Sequence, residues 1–134
     1  MKIIYTAETG LVVIHPADES NIEEVFNKDV PEQYKHSAHI VEDDVIPTDR
    51  TFRNAWKHEE GKIVEDLDLS KEIHKTRLRA QRKPMLEALD AEEMKDLREK
   101  KDPASIHLEK QRLCDITADV ESCECVEDIK KILL

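Results

Sequence analysis

The sequence predicts an α+β protein: a small N-terminal α/β unit containing a β-hairpin, followed by an antiparallel helical hairpin arm and a short C-terminal helix. Three observations carry this reading. Two β-rich runs, Ile3-Ile-Tyr5 and Leu11-Val-Val-Ile14, are separated by a turn that ends in Gly10. Residues 70–100 contain no glycine and are rich in Lys, Glu, Arg, Leu, Met and Ala, the strong helix formers. Apolar residues then recur at helical spacing on both sides of Asp102-Pro103. The change of character near residue 69 predicts two parts, a head over 1–68 and an arm over 69–134.

In the head, Pro16 ends the hairpin, and Asp18 or Ser20 caps a short helix over 21–28 whose Ile22, Val25 and Phe26 form one apolar face. Pro31 stops that helix. A further strand is expected over Tyr34–Val41, with Val45-Ile-Pro47 closing the sheet edge. The stretch Thr48-Asp-Arg-Thr-Phe-Arg-Asn-Ala-Trp56 holds the single tryptophan, so a helical turn placing Phe52 and Trp56 four apart is expected to anchor onto the hairpin sheet. Gly61 opens a short apolar stretch that runs into an acidic link, Glu65–Asp68.

In the arm, Ser70 is the expected N-cap. Leu78, Met85, Leu89 and Leu97 are assigned to one face. Pro84 is expected to kink the helix near Ala80-Gln81, and Asp90-Ala-Glu-Glu93 resembles a capping box that begins a second one. Asp102 as N-cap with Pro103 at the first helical position starts the return helix, striped by Ile106, Leu113, Ile116 and Val120. Val126, Ile129, Ile132 and Leu133 define the terminal helix.

The composition bounds function as well as fold. Of 134 residues, 39% are charged and only 4% aromatic, so the core is thin for the surface it supports and self-association would suit it. A net charge of −10 opposes general affinity for nucleic acid or anionic membranes. The charge is unevenly placed, for residues 1–68 carry 7 basic and 16 acidic side chains while residues 69–83 carry 6 and 1. No run approaches the roughly 18 apolar residues of a membrane span, and the opening segment does not read as a signal peptide. A cytoplasmic location is the expectation.

Individual residues point away from catalysis. Cys114, Cys123 and Cys125 lack metal-site spacing, and Cys114, beside the apolar stripe, reads as a buried hydrophobe. The six histidines fall in different elements, and the acidic pairs accompany no nucleophile motif. Two glycines are too few for a phosphate-cradling loop. No enzymatic activity, catalytic residue, metal or cofactor is therefore expected. The basic run 71–83, with Lys71, Lys75, Arg79, Arg82 and Lys83 on roughly one side of a helix, supports an alternative reading as a regulatory or nucleic-acid-binding face.

A resemblance narrows the expectation. Met1-Lys-Ile-Ile-Tyr5, Val12-Val-Ile-His-Pro-Ala17, Lys28-Asp-Val-Pro31 and above all Val45-Ile-Pro-Thr-Asp-Arg-Thr-Phe-Arg-Asn-Ala-Trp56 resemble small proteins of phage and prophage tail-gene regions. Ile73-His74, Arg77-Leu-Arg79, Pro84-Met-Leu-Glu-Ala-Leu-Asp90 and Lys110-Gln-Arg-Leu-Cys-Asp-Ile-Thr-Ala-Asp119 are similar to the helical pattern of tail-fibre assembly and tail assembly chaperone-like proteins. Glu121–Cys125 departs from that pattern. The resemblance implies a virion tail component or assembly accessory whose partner is another tail protein, with no catalytic residues to carry over. Partner contact is expected from the arm's seam, Leu78, Met85, Leu89, Leu97, Ile106 and Leu113, with Phe52 and Trp56 as core anchors or a second partner patch.

Overall fold

The computed structural model describes residues 1–134 and is of mixed α+β class. The chain divides into two compact units, Met1–Asp66 and Leu67–Leu134.

The first unit is organised by a three-stranded antiparallel sheet. Strands β1 (Lys2–Ala7) and β2 (Gly10–Ile14) pair through Ile3↔Ile14 and Ala7↔Gly10, with only Glu8 and Thr9 between them. Gly10 sits at φ +121°, a conformation that side-chain-bearing residues rarely adopt. β3 (His39–Val41) adds to the other edge of β1, giving the order β2-β1-β3.

Side chains alternate across this sheet. On one face Ile3 and Tyr5, with Ala7, Val12 and Ile14 beside them, meet Ile22, Val25 and Phe26 of α1 (Ile22–Asp29) and the buried Val30. Asp18 leads into that helix, its carboxylate accepting from the Ser20 amide at 2.9 Å and the Ser20 hydroxyl at 2.6 Å. On the other face Ile4 and Leu11 are buried, and the segment from Phe52 onward packs there.

Three expectations change in this unit. The strand expected over Tyr34–Val41 covers only His39–Val41: Glu32–Tyr34 forms a 3-10 turn, and the Tyr34 ring stacks on Tyr5 with centroids 5.3 Å apart. Val45 ends another 3-10 turn, Asp43–Val45, rather than closing a sheet edge. Phe52 and Trp56 are buried, but the turn between them is a single 3-10 turn over Arg53–Ala55, starting later than Thr48 or Asp49, and Trp56 itself begins β4 (Trp56–Glu59). β4 pairs with β5 (Lys62–Glu65) in a second hairpin that the sequence reading does not contain. Glu60 (φ +48°) and Gly61 (φ +78°) both take positive φ, as a two-residue hairpin turn that follows the strand twist requires.

The second unit is a helical hairpin, α2 (Leu67–Arg98) and α3 (Ala104–Glu121), with a short α4 (Val126–Lys130) packed on α2. α2 starts at Leu67, and Ser70, expected as the cap, lies inside its first turn and is fully buried. α2 continues through Pro84 and Asp90, so the second helix expected from Asp90 does not begin there. Pro84 costs the helix one hydrogen bond, but it and Ala80, whose carbonyl loses its partner, are both exposed, so that carbonyl is open to solvent and the loss costs little. The break comes after Arg98; Lys100 takes φ +54°, and the Asp102 carboxylate accepts from the Ala104 amide at 3.0 Å to start α3. No helix is long and apolar enough to cross a membrane.

Candidate functional site

The helical unit is built around Leu78, Ile106, Leu113, Ile116, Val120 and Ile129, all buried. Leu86 and Leu89 are half-buried beside them. Polar contacts across the hairpin fix its antiparallel register. At one end Lys71 Nζ donates to the Glu121 carbonyl at 2.9 Å, and Lys75 bridges Glu72 and Glu121. In the middle Arg82 Nη1 donates to the Leu113 and Cys114 carbonyls at 3.1 and 3.3 Å. At the tip Lys110 reaches Asp90 at 2.6 Å and also pairs with Glu93, which His107 Nε2 approaches at 2.6 Å.

These pairs shift their own titration. Hydrogen bonds first from Lys110 and then from His107 hold the Glu93 carboxyl below its ordinary range, and Lys75 does the same to Glu121. Lys110, between Asp90 and Glu93, and Lys75, between Glu121 and Glu72, are raised correspondingly.

The residues expected to contact a partner therefore separate by burial into three groups. Leu78, Ile106 and Leu113 are consumed by the hairpin itself, and Phe52 and Trp56 belong to the core of the first unit. Leu89 is half-buried. Met85 and Leu97 lie outside the seam, 38% and 57% exposed. Leu97 leaves the seam because at about 100° per residue it falls roughly a quarter turn from Leu78. Met94, 55% exposed and three residues before Leu97, shares its side of the helix and was not among the expected contacts.

The basic run is largely occupied internally. Lys71, Lys75 and Arg82 bind the return helix, two of them at its C-terminal end, where cations offset the partial negative charge of unpaired carbonyls. His74, taken from sequence as one scattered histidine among six, is buried, and its Nε2 lies 2.7 Å from the Ile132 carbonyl. Cys114, expected in the core, is exposed: the buried stripe passes through Leu113 and Ile116, and its neighbour points away.

A different cluster forms in the first unit, where β2 meets the stretch 46–56. Val13 and His15 from β2 and its exit, with Ile46, Arg50, Arg53 and Trp56, line a cavity of about 120 Å³. The stretch is bent by Asp49, whose carboxylate takes the Thr51 amide at 3.0 Å and the Thr51 hydroxyl at 2.6 Å. That bend and the turn Arg53–Ala55 bring positions three apart, Arg50, Arg53 and Trp56, to one side. The Arg53 guanidinium lies over the Trp56 ring, 4.8 Å from its centroid, and Nη2 donates to the Leu11 carbonyl at 3.0 Å. Burial first, and then the like charge of Arg50, push Arg53 below the ordinary arginine range. The Trp56 Nε1–H is buried without an acceptor. The RxxRxxW spacing was visible in the sequence, but nothing there signalled that His15 would join it.

In the second sheet His58 Nε2 accepts from the Gly61 amide at 2.9 Å, and its ring meets His39 edge-on at 4.6 Å. Burial, and secondarily His39, lower the His58 value. No family model, curated protein or solved structure matches this chain.

Proposed function

We propose that this chain is a non-enzymatic binding protein of phage or prophage tails, a tail component or assembly accessory, which engages a helix of another tail protein through the tip of its helical hairpin. The observation that carries this is the pair Met94 and Leu97. Both are more than half exposed and lie one turn apart on a helix whose own seam is already filled by other residues. Large apolar side chains so placed gain free energy on being covered, about 25 cal/mol per Å² removed from water. Exposed Lys95 and Arg98 flank them, so the fitting partner is an amphipathic helix with acidic margins. The tail setting rests on the resemblance of Val45–Trp56 and of the helical segments.

The nucleic-acid alternative is weaker, since Lys71, Lys75 and Arg82 already bind the protein's own second helix. The test is co-purification from phage-bearing cells. We expect a tail structural protein to accompany the wild type and to be lost with the doubly substituted Met94→Glu, Leu97→Glu variant, whose circular dichroism should be unchanged. Retention of the same partner by that variant, or association with nucleic acid alone, would overturn the proposal.

A further inference from the structure

The cavity lined by His15, Arg50, Arg53 and Trp56 has a composition that the hairpin reading does not use. Its polar lining side chains all carry donors: the two guanidinium groups of Arg50 and Arg53 and the His15 imidazole, which donates in either tautomer, stand beside Trp56. Asp49, the carboxylate next in sequence to Arg50, has an oxygen turned to the Thr51 amide and hydroxyl. Only one Arg53 nitrogen is used by the Leu11 carbonyl, and neither arginine forms an ion pair with a carboxylate. In a stretch where acidic side chains outnumber basic ones 16 to 7 over residues 1–68, two neighbouring guanidinium groups without a carboxylate make a local concentration of positive charge.

We infer that this cavity binds a compact doubly charged oxyanion of the phosphate class, held by Arg50 and Arg53 with His15 at its margin. The size agrees: about 120 Å³ far exceeds the roughly 10–15 Å³ that one water needs, yet leaves no room for an extended ligand. The charge agrees as well, because two guanidinium groups balance a phosphate dianion, whereas a single carboxylate would leave one of them uncompensated. Arg50 is exposed and is the charge a ligand meets first; Arg53 is fixed by Trp56 and Leu11 and sets the geometry.

The chain's single tryptophan lies in the cavity wall and reports on the site directly. Inorganic phosphate would be titrated into the whole protein at constant ionic strength, following Trp56 fluorescence and the NMR resonance of its indole N–H. A parallel arm would use acetate. We expect a saturable response to phosphate, at least tenfold weaker in Arg50→Ala, with no saturation by acetate. Because Arg50 is exposed, that variant should keep the wild-type spectrum without ligand, and Arg50→Lys should recover part of the affinity. A response to phosphate no different from that to chloride, equal binding by Arg50→Ala, or saturation by acetate at the same concentration would overturn the assignment. None of these outcomes depends on Met94 or Leu97, so this site and the hairpin surface are tested separately.

Discussion

Arg82 on α2 donates from Nη1 to the backbone carbonyl of Leu113 on α3 at 3.1 Å, beside the point where the Leu113 side chain is wholly buried. One cation thus ties the register of the hairpin to its best-packed residue. Arg82→Ala should lower the stability of the helical unit by about 1–2 kcal/mol, the ordinary worth of a charged donor on a partly exposed acceptor. Arg82→Lys should recover only part, since a single ammonium lacks the planar fork. Urea unfolding followed at 222 nm would show equal midpoints for Arg82→Ala and wild type if this tie contributed nothing.

Leu113 and Leu97 should respond oppositely to truncation. Leu113→Ala removes a fully buried side chain and should cost about 2–5 kcal/mol. Leu97→Ala, at a site 57% exposed, should stay within about 0.5 kcal/mol of wild type. Thermal melts of the two variants check the seam assignment, and comparable losses would contradict it.

Pro84 lies within an unbroken helix on its solvent side. Pro84→Ala restores an amide donor to the Ala80 carbonyl and should stabilise the helical unit by about 1–3 kcal/mol. A variant less stable than wild type in denaturant would show that the proline supports something beyond the helix.

The carboxyls of Glu93 and Glu121 are held below their ordinary value near 4.5 by Lys110 and Lys75. A lowered folded value means that the folded state binds protons less readily than the unfolded chain. Their contribution is therefore complete above the ordinary carboxylate range and is lost as pH falls through the lowered value. In an acid titration followed by far-ultraviolet circular dichroism, Glu93→Gln with Glu121→Gln should flatten this loss, and an unchanged profile would refute the linkage.

His58 should titrate below 6.5 in the folded protein, its ring partly buried beside His39 and its Nε2 occupied by the Gly61 amide. Protonation removes that acceptor, so the stability it lends the turn is present above the ordinary imidazole value and fades as pH drops toward the lowered one. NMR titration of the ring protons would find a value at or above 6.5 if the turn were not braced in this way.

What could be read from sequence was what runs and periodicity encode. Two continuous runs of strand formers, Ile3–Tyr5 and Leu11–Ile14, on either side of a Gly-bearing turn announced the first hairpin, whose sheet is covered on both faces. The stripe from Ile106 to Val120 announced α3, which buries one face. The β4–β5 hairpin was illegible: Lys57, His58, Glu59 and Glu60 look like solvated loop, and its turn uses Glu before Gly instead of the more telling Asn or Asp. Pro84 does not end the helix because the bond it loses faces water and packing continues on the other side, and the capping-box pattern at Asp90 misled because that carboxylate pairs with Lys110 within a continuous helix. In the candidate oxyanion site Arg50, Arg53 and Trp56 are near in sequence, but His15 arrives from another strand, a convergence no local pattern reports.

The cross-hairpin contacts also order the way this unit closes. His107 and Glu93 are separated by 14 positions, Arg82 and Leu113 by 31, and Lys71 and Glu121 by 50. The entropic penalty of joining two points rises with the length of chain between them, so the tip contact is the least demanding to make first. Once it exists, the next rung brings in 17 further residues and the last 19 more, instead of 31 and 50 from the open chain, so closing from the bend toward the free ends is the least costly order.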